Sequence, residues 1–495
     1  MTIENIVDRK PKFEDYEPLT RSRGSKDDYE EKYSSDVGFQ PDFKSKKETE
    51  PTAFSATESR PPASFQPQPT KVIFRRGHAL STVGLFLFTF VLYFRPYEII
   101  PALSFMSNIA FWLAVFTVLV YVPTQLALEG SITIKVPEVK FVLLLGAATV
   151  ASIPFAVDPS IAGASVIDYL KVVVIFIVLV NVIRTEKRLH ALMALSILAA
   201  IISSIYAVGD YATGNLAMRA ERIKGFLGNL FDNPNDLALH LVTMVPLVLT
   251  MALGTKAISK KILYVGLALL FAGGIVATTS RGGLLGFGLV MAVLGWKLAR
   301  RYRVVMGGIG LGLMLLIVLF GPGGLKSRIA AGNDASAVNR TDDLKRSVFL
   351  SIRHPIVGLG MSCYPLYSNT GHATHNGYTQ VSVECGMAAL VFYVLFLVTP
   401  IRRLSQIRSN APPGKRGRME YLMIGIETSI IGYMIASFFL SVAFLWYAYY
   451  LVGYAVVLRR LAERSGFSSL GSAKPVTNSG SSAPRVQQVM ARDSV

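Results

Sequence analysis

Proton-transfer chemistry is best provided for at His372-Ala-Thr-His375-Asn376-Gly377-Tyr378. Histidine titrates at about pH 6.5, so an ordinary one is substantially neutral at physiological pH, as a general base must be. Upstream stand cations suited to an anion. Arg219, Arg222 and Lys224 precede Asn233-Pro234-Asn235-Asp236, Arg281 lies within Ser280-Arg281-Gly282-Gly283, and Arg340 opens Asn339-Arg340-Thr341-Asp342-Asp343. A guanidinium grips phosphate oxygens in bidentate fashion, and adjoining glycines let a large headgroup approach. His372 and His375 have the spacing of a metal pair, but neither Cys nor carboxylate stands at close metal-site spacing, so no metal and no other cofactor is expected.

Each of these groups also has a plainer structural reading. Arg281 suits a guanidinium that snorkels to a headgroup layer. Asn-Pro-Asn-Asp suits a helix start, and a helix capped by Thr341 and stopped by His354-Pro355 suits a surface helix. Asp168 and Lys171 are one turn apart and are expected to pair. Glu384, at the head of an apolar run, needs a cation or a backbone group beside it. Cys363 and Cys385 are too few for a disulfide scaffold, although their placement permits a bond between them.

The elements that must position these residues are membrane helices. Of 495 residues, 52% are hydrophobic and 17% charged, with a mean hydropathy of +0.44, outside the range of soluble globular domains. The net charge of +18 would suit nucleic acid, but residues 1–78 balance their charges and nearly all of the excess falls in the apolar part. That placement speaks for membrane topology and against a nucleic-acid partner. Residues 1–78 and 465–495 are too poor in apolar surface to order themselves and are expected to be disordered tails flanking a transmembrane domain at 79–464. No basic leader with a cleavage site opens the chain, so the first apolar helix is expected to be an uncleaved anchor.

About twelve spans are predicted, at 79–98, 104–122, 139–157, 165–183, 189–209, 236–254, 262–279, 282–298, 304–321, 384–401, 421–439 and 441–458. Residues 262–298 run almost unbroken and would make one helix of roughly 55 Å, too long for a single crossing. Lys260 and Lys261 precede the run, while Lys297, Arg300 and Arg301 follow it, so both of its ends belong on the same side and Ser280–Gly283 is where it turns. With twelve spans, the cations around 184–188, 256–261, 297–303, 402–418 and 459–464 all fall on that side, which the positive-inside rule makes cytoplasmic. Both termini are then cytoplasmic, and the long segments 210–235 and 322–383 lie outside, where function is sought.

Taken in order, these motifs resemble the O-antigen ligase and O-antigen polymerase family of membrane glycosyltransferases. The resemblance rests on His375-Asn376 followed after nine residues by Gly386, Arg222 and Gly225 before Pro234-Asn235-Asp236-Leu237-Ala238, Ser280-Arg281-Gly282-Gly283, and Arg340 leading to His354-Pro355 and Gly358-Leu-Gly360. Ala389, where ligases usually carry Gly, Thr or Tyr, departs from the ligase pattern. The resemblance implies an all-α polytopic bundle of the C-type glycosyltransferase kind, with a large periplasmic loop between spans nine and ten, in the bacterial inner membrane. It implies transfer of a sugar chain from undecaprenyl diphosphate to an acceptor hydroxyl on lipid A-core, a glycan or another envelope molecule. Under it, His375 is the catalytic base and Arg222 and Arg281 hold the diphosphate, with Arg340, Asn376 and Glu384 as further substrate-binding candidates.

Two other readings remain open on the residues alone. Twelve spans with intramembrane charge suit a secondary transporter, which would favour an internal repeat and polar residues at the bilayer midplane. A non-catalytic subunit of an envelope polysaccharide complex would make His375 and Arg281 expendable.

Overall fold

The computed structural model describes residues 78–106, 108–214, 233–298, 335–368, 371–411, 417–465 and 467, and all regular structure among them is helical. We label the longer helices α1 (Ala79–Phe94), α2 (Ile109–Glu129), α3 (Pro137–Ser152), α4 (Pro159–Val182), α5 (Glu186–Ala212), α6 (Pro234–Gly254) and α7 (Ile258–Ala277). There follow α8 (Arg281–Leu298), α9 (Ala335–Arg353), the short α10 (Gly377–Cys385), α11 (Met387–Ser409), α12 (Arg418–Ala436) and α13 (Trp446–Arg464). Both expected tails, apart from a few residues, and the expected ninth span at 304–321 lie outside the described residues.

Ten helices among the described residues are long and apolar enough to cross a membrane: α1 to α8, α11 and α12. Helix α13, the expected twelfth span, is not one of the ten, because Arg459, Arg460 and Glu463 lie in it. Its residues from Trp446 to Leu458 are nevertheless almost all buried among other helices. Helices α6 and α12 pack extensively on each other, and with α13 they form the interior of the bundle. Helix α2 is peripheral and exposes Phe111, Trp112 and Leu119, apolar side chains that suit hydrocarbon.

Several boundaries differ from the sequence expectation, each for a local reason. The second span starts at Ile109 because a 3-10 turn occupies Pro101–Met106, and it runs on to Glu129, where Gly130 at φ 65° closes it with its amide on the Leu126 carbonyl. The tenth span starts at Met387, because Gly386 at φ 90° breaks it from α10. Helix α9 starts at Ala335, so Thr341 lies in its interior and is not its cap. The chain turns back between α7 and α8 as expected, but at 278–280, and Arg281, Gly282 and Gly283 form the first turn of α8. Asn233 caps α6, accepting from the Asn235 amide at 3.0 Å. Lys171 pairs with Asp168 at 2.7 Å.

The cations of alternate connections gather at one end of the bundle, where carboxylates meet them. Arg459 grips Glu138 with both terminal nitrogens, at 2.6 and 3.1 Å, and Arg184 meets Glu129 at 2.8 Å. Lys297 and Arg408 converge on Glu427, a fully buried carboxylate. We refer to this as the basic end.

A buried charge left without its partner is far more destabilising than a pair removed whole. Arg459→Ala should therefore cost about 3–5 kcal/mol and lower the thermal midpoint of the detergent-solubilised protein, while Glu138→Gln combined with Arg459→Met recovers most of that loss. Equal midpoints for wild type and Arg459→Ala would show that the pair does not hold α3 to α13.

Candidate active site

At the other end of the bundle the motifs scattered along the sequence meet. Ser280 closes α7 against the start of α6, its hydroxyl donating to Asn235 Oδ1 at 2.6 Å and accepting from the Gly283 amide at 3.1 Å. A Cβ on Gly283 would stand 2.5 Å from Ala238 Cβ, so the glycine is what lets α8 lie this close to α6. A Cβ on Gly282 would meet Phe439 at 3.3 Å. Arg281, half-buried, therefore enters α8 from a tightly packed turn.

The link between α12 and α13 contains a 3-10 turn, Ser437–Phe439, followed by non-helical residues 440–445. The loop that carries His375 is fastened to it. Asn376 Nδ2 donates to the Phe438 carbonyl at 3.1 Å, while its Oδ1 accepts from the Tyr378 and Thr379 amides and caps α10. The hydroxyls of Thr374 and Ser441 lie 3.0 Å apart, and the Tyr378 hydroxyl donates to the Met434 carbonyl at 2.8 Å. Asn376 thus has both ends of its amide engaged in placing its neighbour. His375 itself sits at φ 54°, in the left-handed region that histidine, with asparagine and aspartate, enters more readily than other side chains.

Arg340 on α9 joins these pieces. A narrow cleft is lined by Asn235, Ser280, Gly282, Gly283, Phe439 and Arg340, along with Leu239, Ala436 and Leu440. Arg340 is also close enough to His375 to act on its titration. Burial, followed by the Arg340 charge and then His372, depresses the His375 pKa below its ordinary value, and Asp343 opposes this. Asp343 is buried, with one carboxylate oxygen accepting from the Ser368 hydroxyl at 2.9 Å. The His372 and His375 rings are 6.3 Å apart. The arrangement is a half-buried imidazole near a narrow cleft whose charged lining residue is Arg340; neither His375 nor Arg281 itself lines that cleft.

Glu384 lies elsewhere. It is buried behind the cleft among Cys363, Cys385 and the segment His354–Gly360, and it does not line the cleft. Gly360 donates its amide to the Glu384 carbonyl at 3.0 Å, Leu359 to the Val383 carbonyl at 2.8 Å, and Met387 to the Pro355 carbonyl at 2.8 Å. A Cβ on Gly358 would stand 2.4 Å from the Glu384 carbonyl carbon, and one on Gly386 would stand 2.2 Å from the Ile356 carbonyl oxygen. The Gly-Leu-Gly motif and Gly386 are therefore two faces of one backbone contact. Both cysteines are free thiols within it.

Two contributors escaped the sequence reading. The 437–441 link did, because two spans placed nearly end to end left it no length. Asp343 did too, since it reads as an ordinary first-turn acid. Arg222, together with Arg219 and Lys224, lies outside the described residues.

Burial raises the Glu384 carboxyl from its ordinary 4.5 to about 8, partly offset by a backbone hydrogen bond from Ser362. The unfolded chain releases this proton near the ordinary value and the folded chain holds it to about pH 8, so folding loses stability as pH rises through that window. Glu384→Gln, which stays neutral, should flatten the fall in thermal midpoint between pH 5 and pH 8. An unchanged slope would mean that this carboxyl is ionised in the folded protein.

Residues 266–394 match the protein family described as O-Antigen ligase. No curated protein matches the chain. The matched residues hold Ser280–Gly283, α9, His375 and Gly386, so they include the imidazole and, of the cleft lining, Ser280, Gly282, Gly283 and Arg340. Glycan transfer in a membrane, between a lipid-linked donor and a glycan acceptor, is what such a family implies. Over these residues the chain is similar to the O-antigen ligase family, and as a whole it is an all-helical polytopic membrane protein.

Proposed function

We propose that the protein transfers an oligo- or polysaccharide from undecaprenyl diphosphate to an acceptor hydroxyl on lipid A-core, a glycan or another envelope molecule, at the periplasmic face of a bacterial inner membrane. The transmembrane domain at 79–464 carries the reaction, and the tails at 1–78 and 465–495 lie in the cytoplasm with the basic end. The observation that supports this reading best is the placement of Arg340, which lines the cleft with Ser280, Gly282 and Gly283 and also acts on His375.

In this mechanism the imidazole of His375 takes the proton of the acceptor hydroxyl as its oxygen attacks the anomeric carbon. The bond from that carbon to the phosphate oxygen breaks, and the lipid diphosphate leaves with the electron pair. Attack opposite the leaving group inverts the anomeric centre. The diphosphate gains negative charge as the bond breaks, so Arg281, Arg340 and Arg222 stabilise the transition state more than the ground state, and no metal is invoked. Asn376 acts by fixing the His375 loop.

The experiment uses proteoliposomes with an undecaprenyl-diphosphate-linked oligosaccharide and an acceptor extract, read as acceptor-dependent release of lipid diphosphate. Arg281→Ala should lower the rate by about 10²–10³, and His375→Asn, which tolerates the left-handed backbone, should abolish turnover with the fold retained. The pH profile tests the base. Because its pKa is depressed, wild-type activity should persist as pH falls past the ordinary histidine range. Removing a positive neighbour raises that pKa, so Arg340→Gln should move the acidic limb to higher pH, and Asp343→Asn should move it lower. An acidic limb that stays put in both variants would remove His375 from the role of base.

A further inference from the structure

At the basic end, remote from the cleft, α5, α6, α7 and α12 enclose a pocket of about 230 Å³. Its charged and polar walls are Lys256, Lys260, Arg418, His190 and Tyr264. Elsewhere at this end cations meet carboxylates, as Arg459 meets Glu138 and Lys297 meets Glu427. Lys256 and Lys260 are exposed, and among the described residues neither has a carboxylate partner. Arg418 is set in place differently. His190 Nδ1 must donate to the Glu186 carbonyl, 2.8 Å away, which leaves Nε2 as the acceptor for Arg418 Nη2 at 3.0 Å. That neutral tautomer fixes the guanidinium at the pocket wall, with the Glu186 carboxylate 3.9 Å from Arg418 Nε as the acidic group nearby.

Two helix beginnings face the same space. Lys260 and Tyr264 come from the first turns of α7, Arg418 and Leu422 from the first turns of α12, and both line the pocket. Neither helix has a side-chain cap at its N-terminal residue, Ala257 or Gly417. Their first amides are thus left for an outside acceptor, and the helix dipoles add positive potential. An apolar floor at Met251 and Leu422 and apolar, exposed flanks at Ile258, Ile262 and Leu263 put the opening beside the hydrocarbon boundary.

We infer that this pocket binds a phosphate-bearing group, and that the group is the headgroup of an anionic phospholipid from the leaflet at the basic end. Two lysines without carboxylate partners, a fixed guanidinium and two uncapped helix starts provide the charge and the donors for a phosphodiester. The adjoining apolar side chains suit the first methylenes of its acyl chains. The site is separate from the proposed transfer cleft, so it stands whether or not that activity is found.

The test uses the full chain in detergent, with phosphatidylglycerol or phosphatidylcholine as the added lipid and bound lipid read by native mass spectrometry. Phosphatidylglycerol should be retained in preference to phosphatidylcholine, and Lys256→Gln and Lys260→Gln should each weaken retention about fivefold. Lys261→Gln, a neighbouring lysine outside the pocket lining, should retain it as wild type does. Millimolar inorganic phosphate that fails to displace the lipid supports the headgroup as ligand, whereas displacement by phosphate alone supports the phosphate site with a free ligand in place of lipid. Equal retention of both lipids, or equal loss in Lys261→Gln and Lys260→Gln, overturns the site.

Discussion

The largely buried link between α12 and α13 is the constraint on which the end of the bundle that carries His375, here the loop end, depends. A bundle in lipid has no water with which to satisfy non-helical backbone, so such a segment persists only where protein groups take its amides and carbonyls. Here side chains do so one by one. Asn376 donates to the Phe438 carbonyl, Tyr433 to that of Val442, and Tyr449 to that of Ala443, while Gln380 accepts the Ala443 amide. Satisfying the link and positioning His375 are therefore one task, because Asn376 that caps the link also caps α10 and adjoins the imidazole. The same link sets Phe439 against Gly282, so the start of α8 that bears Arg281 and the loop that bears His375 both pack on a single short segment.

Glycine explains the second half of the arrangement. At Gly358 and Gly386 the obstacle to a Cβ is backbone, which does not swing aside as a side chain would. Both also sit at positive φ, so a substitution would meet strain and collision together. The segment from His354 to Gly360 is thereby pressed against the end of α10 by three backbone hydrogen bonds. These glycines hold the end of α10 that is remote from His375. They do not line the cleft, and their part is to place α9, and hence Arg340, relative to α10.

Much of this was legible in the sequence, and what was missed shares a cause. The turn between α7 and α8 followed from the length of an apolar run read against the charges at its two ends, and the cap at Asn233 from an Asn before Pro at a helix start. Both signals are local. The partnership of Asn376 with Phe438 spans 62 positions, and Ser280 reaches Asn235 across 45. Neither leaves a periodic or compositional trace in its own neighbourhood. Glu384 is the instructive case: an acid heading an apolar run reads as a ligand or one half of an ion pair, yet the fold buries it against backbone and keeps its proton on. Only packing, which a single sequence does not display, separates those outcomes.

The two ends of the bundle handle charge in opposite ways, and the difference bears on what each can do. At the basic end Glu138 and Glu427 are buried and met by cations within bonding distance, an arrangement in which the charges neutralise one another and fix helices. At the loop end Arg340 faces a cleft and an imidazole. A cation beside a base has a cost, since it makes the protonated imidazole less favourable and so weakens the base. That cost becomes useful where the base must stay unprotonated beside a diphosphate, whose own negative charge would otherwise raise the imidazole pKa and protonate it before the acceptor arrives. In the proposed mechanism one guanidinium would answer both needs, holding the phosphate and offsetting its charge at the base. Asp343 then limits how far the depression goes. If His375 is the base as proposed, Arg340 and Asp343 together set the pH range of the chemistry, and α9, which carries both, is the element whose position must be most closely fixed.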